Sequence, residues 1–103
     1  MIFTALLSWW RRRRQPPLHH LSFVLYTRQG CHLCESALQE LEAAQRRDGF
    51  ALQAVDIDTD SQLAALYGNE VPVVAVNGKV RFRGQVNRVL LERLLRSERR
   101  NAK

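Results

Sequence analysis

Only two of the 103 residues are cysteine, and they stand three apart, at Cys31 and Cys34. That excludes a disulfide-stapled secreted scaffold, which needs several cysteines spread along the chain. Proline (three) and glycine (five) are scarce too, so neither a collagen-like repeat nor a low-complexity chain is present. The apolar opening stretch of ten residues is about half the ~20 that a bilayer span requires, which excludes a polytopic membrane protein. There is no Gly-rich phosphate loop, no Ser-His-Asp set and no H-E-x-x-H motif, and the chemistries those motifs support go with them. Lysine is nearly missing: 14 of the 16 basic residues are arginine, whose charge does not titrate away at ordinary pH.

The residues that are present describe one packed domain. The length leaves no room for a second, and 46% hydrophobic with 25% charged residues is ordinary for a packed soluble chain. Four of the positive charges in the net +6 sit in the first 20 residues, which hold no acid. The remainder carries only +2, a poor balance for a nucleic-acid binder.

Residues 1–20 read as a basic tail. The apolar stretch ends in Trp9-Trp10, four arginines occupy 11–14, and Pro16-Pro17 breaks any helix. A secretory signal has the opposite order, with charge first and a small-residue cleavage site after, so the sequence predicts a cytoplasmic domain. Two readings of residues 1–14 stay open: a peripheral membrane contact through the tryptophans and arginines, and a disordered extension with no partner, the commoner state of a terminus.

From residue 21 the pattern alternates between strand and helix. Residues 21–27 are short and rich in strand formers. Residues 33–47 form a helix in which Cys34, Ala37, Leu38, Leu41 and Ala44 share one face, and Gly49 is placed to cap its end. A second strand covers 50–57. Asp58-Thr59-Asp60 offer N-caps for a short helix carrying Leu63, Leu66 and Tyr67 and stopped by Gly68. A third strand covers 71–76, and Asn77-Gly78 turns it into an antiparallel partner at 79–83. Val86, Leu90, Leu91, Leu94 and Leu95 face the core from a last helix. Beyond Ser97 the polar chain is expected to fray over 98–103. The predicted product is an α/β fold, β-α-β-α-β-β-α, with a four-stranded mixed sheet, helices on both faces, and its domain over 21–97.

The chemistry resides in Cys31-His32-Leu33-Cys34. A C-x-x-C at the junction of a strand and a helix reads as a redox pair. At a first helical turn the two sulfurs are within reach of each other, and the unpaired N–H groups and dipole of the helix start favour an anion there. A free thiol has a pKa of about 8.5, and such sites bring it to ~3.5–7.5. Helix phase makes Cys34 the buried sulfur and Cys31 the exposed one, so Cys31 attacks and Cys34 resolves. His32 and Arg28, if charged, favour the Cys31 thiolate further. The same motif supplies two ligands where a structural zinc needs four, and with no second pair the sequence predicts no metal site.

The stretch Leu25-Tyr-Thr-Arg-Gln-Gly-Cys-His-Leu-Cys-Glu35, the strand end Val55-Asp-Ile-Asp58, and Val71-Pro72 ahead of a strand and an Asn-Gly turn resemble the glutaredoxin-like family of the thioredoxin fold, above all its small bacterial members with a C-H-L-C site. The resemblance covers about residues 21–97. It implies a thiol–disulfide oxidoreductase and monomeric electron carrier with no bound cofactor, using glutathione or a reductase as electron donor and protein thiols or disulfides as partners; the alternative is a non-enzymatic adaptor of the same fold, tethered to a membrane or partner by Trp9-Trp10 and the arginines at 11–14. Residue by residue it makes Cys31 the nucleophile, Cys34 the resolving cysteine, Pro72 a cis-proline facing the site, Val71 a backbone partner for an extended thiol substrate, and Arg28 a contact for the glutathione carboxylate. His32 and Leu33 stand where glutaredoxins have proline and an aromatic residue. Asn87 occupies the place of their glutathione-binding aspartate, and Leu25 that of a buried aspartate in thioredoxins.

Overall fold

The computed structural model describes residues 17–102; Trp9-Trp10 and the arginines at 11–14, on which the membrane reading rests, lie outside them. The predicted strand around 21–27 forms β1 (Ser22–Thr27). It lies between β2 (Ala51–Asp56), parallel to it with Thr27 opposite Asp56, and β3 (Val73–Val76), antiparallel with Leu25 opposite Val74. The hairpin partner β4 (Lys79–Arg83) completes a mixed sheet of order β2-β1-β3-β4.

The turn behaves as its residues dictate. Asn77 and Gly78 both adopt positive φ, 50° and 84°, the geometry a two-residue hairpin needs. Asn77 also latches the hairpin to β1, its Oδ1 accepting from the Ser22 N–H at 2.8 Å.

Alternation along the central strands serves two layers. Phe23, Leu25, Val74, Val76 and Phe82 join one buried cluster with Ala37, Leu41 and Ala44 of α1 (His32–Asp48) and Leu91, Leu94 and Leu95 of α3 (Arg88–Asn101). On the other face the Tyr26 ring lies 4.7 Å from that of Tyr67 on α2 (Ser61–Tyr67). β3 is buried at all four positions because both its faces are covered. The α/β class and helices on both faces therefore follow as predicted.

Local signals set most helix ends within a residue or two. Gly49 closes α1 in the left-handed conformation, φ 78°, donating to the Gln45 carbonyl at 2.7 Å. Asp60 caps α2, and Asn87 caps α3 by accepting from the Val89 and Leu90 N–H groups. Because the cap is at Asn87, Val86 is buried ahead of the helix and Leu90 is half exposed, off the stripe where the sequence pattern placed it. Leu66 likewise faces solvent.

Both ends of the described chain are packed further than their composition suggests. Leu18 is fully buried, and its N–H donates to the Asp48 carbonyl at 2.8 Å, so the packed chain begins before residue 21. At the other end α3 runs to Asn101 instead of fraying after Ser97. The reason is electrostatic. Asp48 has a side chain only 1% exposed, and it accepts from Arg47 at 2.9 Å and from Arg99 at 2.7 Å. Glu98 accepts from His20 at 3.1 Å. Arg99, which composition alone would leave in solvent, is thus tied to the end of α1.

Removing one member of a buried ion pair strands the others. Asp48→Ala is expected to lower stability by about 2–3 kcal/mol, less than for a fully dry pair because Arg47 is partly in water. Urea unfolding measures it as a lower midpoint, and an equal midpoint for variant and parent would refute the clasp.

Candidate active site

β1 and β2 are parallel, so the segments leaving them emerge on the same edge of the sheet. After β1 the chain turns through Gly30, φ 77°, where a side chain would be strained, and enters α1 at Cys31. Cys31 is the N-cap: its backbone is extended (φ −96°, ψ 106°), and its Sγ accepts the Cys34 N–H at 3.1 Å. The two Cα atoms are 5.2 Å apart and the sulfurs are at bonding distance, joined as a disulfide. Cys34 lies on the core stripe and is 2% exposed, whereas Cys31 is half-buried. His32 is 97% exposed and sits 3.7 Å from Glu35.

The sulfur that caps a helix occupies the place where a capping carboxylate is usually found. In the reduced state the Cys34 amide and the positive end of a 17-residue helix favour the Cys31 thiolate over the thiol.

The Val71-Pro72 bond is cis. Extending the β1–β3 register, in which Tyr26 faces Val73, sets Pro72 and Val71 beside Thr27 and Arg28 at the strand end that leads to Cys31. Pro72 is buried and Val71 half-buried. Gly84, φ 78°, clamps this loop by donating to both the Glu70 and Pro72 carbonyls at 2.8 Å. Among the described residues, none donates to or accepts from the Val71 backbone.

Arg28 has partners that the sequence did not announce. Its Nε and Nη2 grip Asp58 at 2.9 and 3.0 Å, and its Nη1 donates to the Gly68 carbonyl at 2.9 Å. The guanidinium is a strut between three loops. Asp58, which the sequence offered as a cap, is its partner, while Asp56 caps a single 3-10 turn (Ile57–Thr59). Sequence spacing hides a pair 30 residues apart. The parallel pairing of Thr27 with Asp56 would have found it, since it brings Arg28 and Asp58 out side by side. Gly68 is equally unforeseen as a partner of Arg28; a Cβ there would come within 2.5 Å of the Ala64 carbonyl oxygen. Among the described residues, no group of three or more His, Cys, Asp or Glu is gathered to hold a metal ion.

Comparison with known proteins agrees with this geometry. The model of the Glutaredoxin-like domain (DUF836) matches residues 22–96. A glutaredoxin-like protein YDR286C homolog of Dictyostelium discoideum is 30% identical over 73 residues, covering 65% of this chain and 68% of that protein. The X-ray structure of protein XcR50 from X. campestris is 34% identical, covers 74% of this chain and 97% of its own, and superposes with a TM-score of 0.61. A mutant thioredoxin from Halobacterium salinarum NRC-1 is 20% identical, with coverage of 76% and 74% and a TM-score of 0.60. At that identity the likeness speaks to the fold alone, which is the thioredoxin fold.

The hydrogen bonds from Arg28, with its charge, hold the Asp58 carboxyl below the usual carboxylate range. The folded value lies below the unfolded one of about 3.9. The pair's contribution to stability is therefore complete above that value and is lost as pH falls through the lowered one. In an NMR titration Asp58 is expected to titrate below the usual carboxylate range and to return to it in Arg28→Leu. Identical titration in both proteins would mean that the strut does not form in solution.

Proposed function

The chain belongs to the glutaredoxin-like domain family, and on that premise we propose that it is a thiol–disulfide oxidoreductase that reduces protein disulfides or mixed disulfides. The observation that carries the reading is the Cys31–Cys34 pair itself: two sulfurs at bonding distance, one accessible at a helix start and one beneath it. An inert structural pair has no need of that asymmetry.

The reaction is two successive exchanges. The Cys31 thiolate attacks one sulfur of the substrate disulfide, that S–S bond breaks, and the first substrate thiolate leaves. The protein and the remaining half of the substrate are then joined through Cys31. Cys34, as thiolate, attacks the Cys31 sulfur, which closes the internal disulfide and releases the second thiol. Two electrons pass to the substrate and both protein thiol protons end on the products. An external thiol, glutathione or the dithiol of a reductase, restores the reduced pair, and no bound cofactor takes part.

The other residues position the substrate. The free N–H and C=O of Val71 suit an extended substrate backbone, added like a strand, with Pro72 shaping the loop against the cysteines. Arg28 serves by bracing the loops on either side. His32 borders the Cys31 sulfur in sequence and is open to solvent. A cytoplasmic setting, where thiols are kept reduced, suits this chemistry. No helix among the described residues is long and apolar enough to cross a membrane.

Alkylation of the reduced protein tests the proposal. Cys31 is expected to react with a pH midpoint well below the ~8.5 of a free thiol, within about 3.5–7.5. Cys31→Ser should abolish turnover, and Cys34→Ser should accumulate a mixed disulfide at Cys31 that mass spectrometry detects. An ordinary midpoint together with no Cys31–Cys34 bond in the oxidised protein would defeat it.

A further inference from the structure

We propose that the groove between β4 and α3 is a docking site for an acidic segment of a partner protein, one that seats an apolar side chain between its carboxylates. The proposal stands apart from the redox chemistry, since no residue lining the groove belongs to the cysteine motif or to the cis-proline loop.

The groove begins in an irregularity of the sheet. β4 is an edge strand. Its pairing with β3 sets Val80 opposite Ala75 and Phe82 opposite Val74, so Arg81 has no partner in the ladder. In a regular strand neighbouring side chains point to opposite faces, and Arg81 would leave the face on which Phe82 packs. One extra residue breaks that alternation and re-aims a side chain. Arg81 and Phe82 accordingly line one cleft of about 330 Å³, together with Leu90, Arg93, Leu94 and Ser97 of α3. Phe82 and Leu94 are buried and form its floor, whereas Leu90 is 49% exposed at the rim.

Charge selects the occupant. Among the described residues no acid lines the cleft. Arg81 and Arg93 are exposed, and neither has an ion-pair partner among the described residues. Arg96, nearly one turn beyond Arg93, extends the positive rim along α3. Glu92, the acid beside Arg93 in the chain, is taken by Arg47 of α1. A carboxylate can therefore meet these cations without breaking an existing pair, and an apolar side chain on the floor displaces water favourably. The same observations disfavour other occupants. The arginines at 11–14 and a second copy of the groove carry the same sign of charge as the rim. A flat anionic bilayer meets the rim and not the floor. A nucleic-acid base needs an open aromatic face to stack on, and the ring here, Phe82, is only 7% exposed.

The test uses the full chain and a short dye-labelled peptide with a central leucine between pairs of glutamates, followed by fluorescence anisotropy. Binding is expected to weaken about two- to fivefold in Arg81→Gln and in Arg93→Gln, the scale of a solvent-exposed ion pair. Serine in place of the peptide's leucine should weaken it by about tenfold or more. Arg46→Gln is the control. It removes the same charge from an exposed arginine of α1, outside the groove and with no ion-pair partner among the described residues, and should leave binding unchanged. All three arginines are exposed, so the variants keep the fold. No binding of the peptide, an equal loss in Arg46→Gln, or indifference to the leucine would overturn the proposal. Phosphatidylserine vesicles and a single-stranded oligonucleotide are run in parallel. If either loses more affinity than the peptide does in Arg81→Gln and Arg93→Gln, the groove serves that class of ligand and the proposal fails. Closure of the Cys31–Cys34 bond is read separately, and none of these outcomes alters it.

Discussion

The contact between the Cys31 sulfur and the Cys34 N–H ties the chemistry to the fold. A helix must satisfy the N–H groups of its first turn, and here the Cys31 sulfur accepts one of them. The same event starts α1, sets the phase that sends Cys34 into the core, and leaves Cys31 at the surface. Architecture and reactivity are in this sense one constraint: shifting the helix phase by a residue would rotate Cys34 by about 100° and take its sulfur off the core face.

That start is only as firm as the rest of α1. Its far end is held by Gly49 in a conformation few other residues adopt, by the buried Asp48 between Arg47 and Arg99, and by the Leu18 amide on the Asp48 carbonyl. Between the two ends, Ala37, Leu41 and Ala44 lock the helix to the sheet. The clasp explains why the last helix persists through a polar, arginine-rich sequence. Isolated, such a segment has little to hold it, because short helices depend on tertiary packing.

Charge in this fold is shared between elements. Arg28, Arg83 and Arg88 each have a carboxylate partner, and each pair crosses between elements, so the same contacts that brace the loops set the electrostatic character of the surface. Bracing a loop and recognising an anion compete for one guanidinium. At Arg28 the bidentate contact to Asp58 and the bond to Gly68 favour bracing.

The order of strands and helices, the Asn77-Gly78 hairpin, the α1 stripe and the burial of Cys34 beneath a more accessible Cys31 were all legible in the sequence. Each is local: a turn, a cap or a period of about 2 or 3.6 residues states it within a few positions. Val71-Pro72 was reached only through resemblance to a family, since spacing by itself says nothing of which loop a proline will face. The sequence did not reveal where the long-range charges go. Arg28 with Asp58, Asp48 with Arg99, and His20 with Glu98 are separated by 30, 51 and 78 positions, and a charged residue carries no mark of its partner until topology brings the two together. For that reason the residue chemistry of the motif was determined by sequence alone. Tertiary structure decided which charges pair, because an ion pair depends on distance in space and periodicity measures only distance along the chain.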